Sequence, residues 1–236
     1  MFDKRCIVAM GGGGFSMEPD NLALDRYILE QSAAVRPAVC FLATASGDSR
    51  EHIDRFYAAY GALAAEPSHL SLFNYNVSDP RKHLLDQDVI YVGGGSVFNL
   101  LTLWRAHGLV DVLREAWHRG IVLAGLSAGS ICWYQSGVTD SFGLPLRSID
   151  TGLGFLSGSH CPHYDGEAER RPAFEALIAS GELSPGIAAD DGVALRYRGT
   201  ELVEIVTSRP NKSAYQVGVG VAGVTTQVLS ARSLVS

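Results

Sequence analysis

This sequence of 236 residues predicts an α/β fold, a mainly parallel sheet with helices on both of its faces. Three observations carry that expectation. Short apolar runs alternate with longer amphipathic ones, each apolar run reads as a buried strand, and the strand-to-helix crossovers repeat along the first half of the chain. Parallel neighbours need such crossovers, because a tight hairpin cannot return a strand in the same direction.

The elements follow in order. CIVAM, residues 6–10, is a buried strand ending at Gly11–Gly14, and NLALDRYILEQS places Leu22, Leu24, Ile28 and Leu29 near helical spacing. AVCFLAT, 38–44, is a second strand, followed by HIDRFYAAYGAL with a helical face of Ile53, Phe56, Tyr57 and Tyr60. HLSLFNY, 69–75, is the third strand and DVIYVGGG, 88–95, the fourth, with SVFNLLTLWRAHGL as the next helix. IVLAGLSAG, 121–129, is a strand that feeds a helix beginning in ICWYQSG through a tight turn. RPAFEALIASG, 171–181, is a short helix, PGIAADDGVALRYRG is a pair of strands around an acidic turn, and ELVEIVT is another strand. The glycine-rich tail GVGVAGVTTQVLSA has β-branched residues without a defined placement. PLRSIDTGLG reads as an internal loop, so residues 1–236 are expected to form a single domain.

Composition narrows the function classes. The net charge of -6, from 19 Lys plus Arg against 25 Asp plus Glu, supplies no broad field for nucleic acid. Four cysteines, Cys6, Cys40, Cys132 and Cys161, form no CxxC pair and read as reduced thiols. The apolar start is too short for a secretory segment and no run reaches bilayer length, so a cytoplasmic protein with no membrane partner is expected.

GLSAG, residues 125–129, carries the strongest chemical signal: a G-x-S-x-G segment between an apolar strand and a helix. In a nucleophile elbow, small flanking residues let a strained serine, here Ser127, project its hydroxyl toward nearby backbone donors. An ordinary close-packed turn is the competing reading. Serine needs a base, and among seven histidines GSHCPHYDGE singles out His163, with His160 as the alternative and a HxxH metal pair as a third reading. No cofactor or metal is expected. Asp140 in GVTDSFG and Asp191 in AADDGVAL both qualify to orient the base. In VGGGSVFNL, Gly94 or Gly95 can offer an amide to a substrate carbonyl, with a second from Ala128; the segment lacks the layout of a phosphate loop. The earlier GGGG at 11–14 is explained by permissive backbone geometry alone.

YVGGGSVFNLL, AGLSAGSICW, CPHYDGEAER and AADDGVAL, in that order, make the chain resemble the peptidase E and cyanophycinase family of S51-type serine peptidases. The resemblance implies a class-I-glutamine-amidotransferase-like α/β fold, Ser127 as nucleophile, His163 as general base, and an oxyanion hole from the backbone around Gly95 and Ala128. Asp191 falls where peptidase E often has Glu, and Asp140 falls near the family aspartate that follows the nucleophile helix; both remain open as third member. The implied substrate is a short peptide with an N-terminal aspartate, read by Arg170 or Arg171, with Tyr164 helping to exclude longer chains. A cyanophycinase-like exopeptidase and an inactive ligand-binding relative are the alternatives, and a homodimer stays open.

Overall fold

The computed structural model describes residues 3–235. The chain runs through β1 (Cys6–Met10), α1 (Gly14–Met17), α2 (Ala23–Leu29), β2 (Ala38–Leu42), α3 (Arg50–Gly61) and β3 (Glu66–Leu70). It continues with α4 (Pro80–Leu85), β4 (Val89–Val92), α5 (Val97–Ala106), α6 (Leu109–Arg119), β5 (Val122–Leu126) and the one-turn α7 (Ala128–Ile131). The second half contributes β6 (Tyr134–Thr139), β7 (Arg147–Ile149), β8 (Leu156–Cys161), α8 (Arg170–Ala179), β9 (Gly186–Ala189) and β10 (Val193–Arg198). It closes with β11 (Glu201–Thr207), β12 (Ser213–Gly220), β13 (Gly223–Ser230) and β14 (Arg232–Ser233).

Eight strands form the larger sheet in the order β14-β11-β10-β1-β5-β4-β2-β3. From β1 to β3 every neighbour is parallel, while β10 and β11 extend the sheet antiparallel from β1. Period-two alternation sorts the central strands between two layers. Ile7, Ala9, Ile90, Val92 and Leu123 face a core shared with α5 and α6, including Leu100, Trp104, Leu113 and Trp117. Val8, Met10, Phe41, Tyr91 and Ala124 face Leu24 and Ile28 of α2 and Phe56 and Tyr60 of α3. Both faces being covered is why these strands read as continuous apolar runs. Each fully buried Leu or Ile contributes about 1.5–3 kcal/mol by leaving water. The expected α/β class, with helices on both faces of a mainly parallel sheet, is what forms.

A second, six-stranded sheet has the order β13-β12-β9-β8-β6-β7. It gathers the irregular second half and places the glycine-rich tail as β12 and β13, paired antiparallel over their full length. Tyr134, Phe155, Leu156 and Ala214 join the α5/α6 core, while Val138, Cys161, Ala188 and Val217 pack against Phe174 and Ile178 of α8.

Three elements differ from the sequence expectation. The third strand is Glu66–Leu70, not 69–75. Beyond it the amides of Leu72 and Phe73 donate to the Asp48 carboxylate at 2.7 and 3.0 Å, and that of Ser71 to Asn76 Oδ1 at 2.9 Å, so side chains replace the ladder. The helix after GLSAG lasts one turn, because Tyr134 already enters β6. Within the segment read as an internal loop, residues 147–149 pair with β6 as β7. Among the described residues, no helix is long and apolar enough to cross a membrane.

Candidate active site

Ser127 occupies the junction of β5 and α7 with φ 54° and ψ -118°, a left-handed φ that costs a non-glycine residue strain. Its neighbours hold it there. A Cβ on Gly125 would lie 2.3 Å from Gly129 O, and one on Gly129 2.3 Å from Val92 O, so both glycines of GLSAG are demanded by backbone contact. The Ser127 amide donates to Met10 O at 3.3 Å, and its carbonyl accepts from the amides of Ser130 and Ile131 at 2.9 Å. The hydroxyl is half-buried and does not cap its own helix.

The triple-glycine turn after β4 lies against this serine: a Cβ on Gly94 would stand 3.3 Å from Ser127 Cβ. Gly95, at φ 132°, leaves no room for a side chain, since a Cβ would meet Ala45 O at 2.3 Å. Ser96 then caps α5 by accepting the Asn99 amide at 3.2 Å. The amides of Gly94, Gly95 and Ala128 make no backbone hydrogen bond among the described residues. They are the kind of preorganised donors that stabilise developing negative charge.

His163 follows β8, also at a left-handed φ of 54°. Its amide donates to Gly11 O at 3.2 Å, one residue along from the carbonyl that holds Ser127. Its ring Nδ1 is 2.6 Å from Asp191 Oδ1, in a buried pair. Asp191 sits between β9 and β10, bridged to Gly12, whose carbonyl accepts the Gly192 amide at 3.1 Å. The end of β1 therefore joins three segments: Met10 holds the serine turn, Gly11 the histidine, and Gly12 the aspartate. No Ser127–His163 hydrogen bond forms among the described residues, a contact that often tightens only with substrate bound.

GGGG at 11–14 is the part that sequence reasoning assigned too little. A Cβ on Gly11 would lie 2.3 Å from Asp190 O, and one on Gly12 2.1 Å from Asp191 Oδ1 and 3.0 Å from His163 Nδ1. The signal was present as consecutive glycines at a strand end, but what they approach was not.

Two further groups near these segments are fully buried. His160 has its Nδ1 2.8 Å from Ile187 O and its ring stacked on Tyr134, and burial pushes its pKa down to about 3. Burial likewise raises the Cys132 thiol well above its ordinary range, and its Sγ contacts Gly129 O at 3.3 Å.

The model of peptidase family S51 matches residues 7–205, which include all of these segments. The chain belongs to peptidase family S51. It is 57% identical over 211 residues to the uncharacterized peptidase YgaJ of Bacillus subtilis, covering 89% of this chain and 91% of that protein. It is 31% identical over 157 residues to peptidase E of Shewanella amazonensis, covering 60% of this chain and 65% of that one. Among solved structures, a putative peptidase E of Listeria monocytogenes superposes with a TM-score of 0.60 at 17% identity, over 96% of this chain and 99% of that one. A peptidase from an acI-B1 actinobacterium gives 0.67 at 20% identity, over 96% and 94%. At these identities the structures bear on the fold alone, and the α/β architecture is shared with both.

Within this S51 chain, three residues singled out in the sequence are engaged elsewhere than on the His163–Asp191 pair. Asp140 makes no contact with His163; its exposed carboxylate lies 3.8 Å from the Arg170 guanidinium. Arg170 is buried, its Nε donating to Glu167 at 2.7 Å and Nη1 to Val138 O at 3.0 Å, so it is built into the second sheet and not open to a substrate. Tyr164 is buried against Phe174 and Tyr215 with its hydroxyl on Glu175 at 3.1 Å, which leaves no face to screen longer chains. Arg171 is different: it is exposed, its guanidinium lying 4.5 Å from the Tyr164 ring centroid and 5.0 Å from that of Tyr215.

Proposed function

We propose that this S51 peptidase is serine-type and removes an N-terminal aspartate from short peptides, with Ser127 as nucleophile, His163 as base and Asp191 as the orienting acid. The observation that carries the reading is the 2.6 Å His163 Nδ1–Asp191 Oδ1 contact, in a ring anchored beside the serine turn. A carboxylate on Nδ1 selects the tautomer in which Nε2 is free to accept a proton, and it stabilises the imidazolium that follows. The left-handed serine turn is then a nucleophile elbow.

In the first half-reaction His163 Nε2 takes the hydroxyl proton as Ser127 Oγ attacks the scissile carbonyl. The amides of Gly94 or Gly95 and of Ala128 receive the oxyanion. His163 then protonates the leaving amine, giving an acyl-enzyme and a free second residue or peptide. Water, deprotonated by the same ring, attacks the ester, and collapse of the second tetrahedral intermediate returns the proton to Ser127 and releases aspartate. Arg171 is the reader of the aspartate carboxylate. No carboxylate within 4.0 Å pairs with it among the described residues, and stacking over two tyrosines restrains its guanidinium.

The test is release of free amino acid from Asp-Leu, Asn-Leu and Ala-Leu by the wild type and by S127A, H163A and R171A. Asp-Leu is expected to be the preferred substrate, S127A and H163A to be inactive, and R171A to lose the preference for Asp over Asn mainly through KM. Equal cleavage of the three peptides overturns the specificity, and an active S127A overturns the serine mechanism. Hydrolysis of an aspartate-backbone polymer instead of dipeptides would move the substrate class to that of a cyanophycinase.

A further inference from the structure

We infer that Asp165, held by Lys212, is a positioning residue that fixes the backbone of Asp191 and thereby aims the His163 ring. The inference rests on the assignment of His163 and Asp191 proposed above, and it concerns a carboxylate that the resemblance to known peptidases leaves without a role.

Asp165 lies two residues after the base in the same turn, and that turn encloses Asp191. His163 Nδ1 meets Asp191 Oδ1 at 2.6 Å. Asp165 Oδ1 accepts the Asp191 amide at 2.8 Å. Gly166 closes on the other carboxylate oxygen, since a Cβ there would stand 2.2 Å from Asp191 Oδ2. Residues 163–166 thus grip Asp191 by side chain, by backbone and by close approach. The outer end of the clamp is equally defined: Asp165 Oδ2 takes an ion pair from Lys212 Nζ. The next residue, Ser213, gives its amide to Asp190 Oδ2 at 3.0 Å, and Tyr215 adds its hydroxyl at 3.1 Å. One segment entering β12 therefore restrains both acids of the DDG turn, directly for Asp190 and through Asp165 for Asp191.

The electrostatics agree with an ionised clamp. Burial pushes Asp165 upward, but the Lys212 bond and the Asp191 amide together outweigh it, and its carboxyl sits below the ordinary value. A carboxylate accepting one backbone amide and one ammonium has a fixed orientation, whereas a free one would rotate. The carbonyl oxygen of an asparagine can still accept the Asp191 amide, while an alanine cannot.

The experiment uses D165A, D165N and K212M in the full chain. Two readouts are followed: the rate at which a fluorophosphonate modifies Ser127, and the low-field proton resonance of His163 Nδ1–H, assigned by its loss in H163Q. D165A is expected to slow modification about 10- to 100-fold, the scale of loss that a misplacement of up to about 1 Å brings, and to shift or broaden the resonance. D165N is expected to restore most of the rate and the resonance, with K212M between the two. Wild-type rate and resonance in D165A overturn the inference, as does D165N behaving like D165A while circular dichroism and urea unfolding show D165N folded. If the wild type is not modified at Ser127, the serine mechanism fails while the resonance still decides the role of Asp165. Should D165A not fold, K212M decides: a slowed modification and a shifted resonance support the inference, and wild-type values of both overturn it.

Discussion

Asp25 gives a prediction whose magnitude follows from burial. This α2 residue is fully buried, and neither carboxyl oxygen has a regular hydrogen-bond partner. The hydroxyls of Tyr60 and Tyr91, equally buried, also have none. Loss of water raises the Asp25 pKa from an ordinary 3.8 to about 6, the nearby Tyr60 hydroxyl and Phe15 amide offsetting part of the effect. The sign follows from linkage. Below 3.8 both folded and unfolded states hold the proton. Between 3.8 and 6 the unfolded chain ionises while the folded one does not, so rising pH erodes stability; above 6 the loss is complete. A gap of about two pH units corresponds to about 3 kcal/mol at pH 8, and about half of that at pH 5. Asp25→Asn abolishes the titration while adding an amide whose own cost does not vary with pH. The stability of D25N relative to wild type, from urea unfolding, is therefore expected to improve by about 1.5 kcal/mol between pH 5 and pH 8. A difference that is flat across that range, or that runs the other way, would refute a buried carboxyl held protonated.

Two further predictions concern the site. Asp191→Asn is expected to lower kcat by about 10⁴-fold, because the amide disturbs the imidazole tautomer, while Asp140→Asn stays within about threefold; steady-state kinetics on Asp-Leu compare them. Gly12→Ala has an accommodating backbone, since Gly12 is not at positive φ, but its Cβ would fall 2.1 Å from Asp191 Oδ1. A loss of about 100-fold or more in kcat/KM is expected from displacing that carboxylate, and an active G12A would show that the aspartate need not sit there.

Much of the framework was legible in the chain. The central strands and their following helices appear as apolar runs ending in glycine, because burial on both faces suppresses polar residues and sharp turns demand glycine. Ser127 announced itself through the two small residues that its turn requires. His163 stood out through a polar neighbourhood, although that neighbourhood did not say that Asp165 would grip Asp191. The least legible region was the glycine-rich tail, whose place as β12 and β13 depends on partners remote in sequence.

What the sequence by itself determined was the layered α/β class and the glycine-flanked turn that carries Ser127, since periodicity and turn chemistry act over a few residues. Tertiary structure alone put Asp191 against His163 and Asp140 beside Arg170, buried Arg170 while leaving Arg171 exposed, and brought Gly11 and Gly12 against the DDG turn. Those outcomes depend on the direction of a side chain and on the approach of two backbones from distant parts of the chain. Neither quantity is local, so neither is written in the spacing of residues.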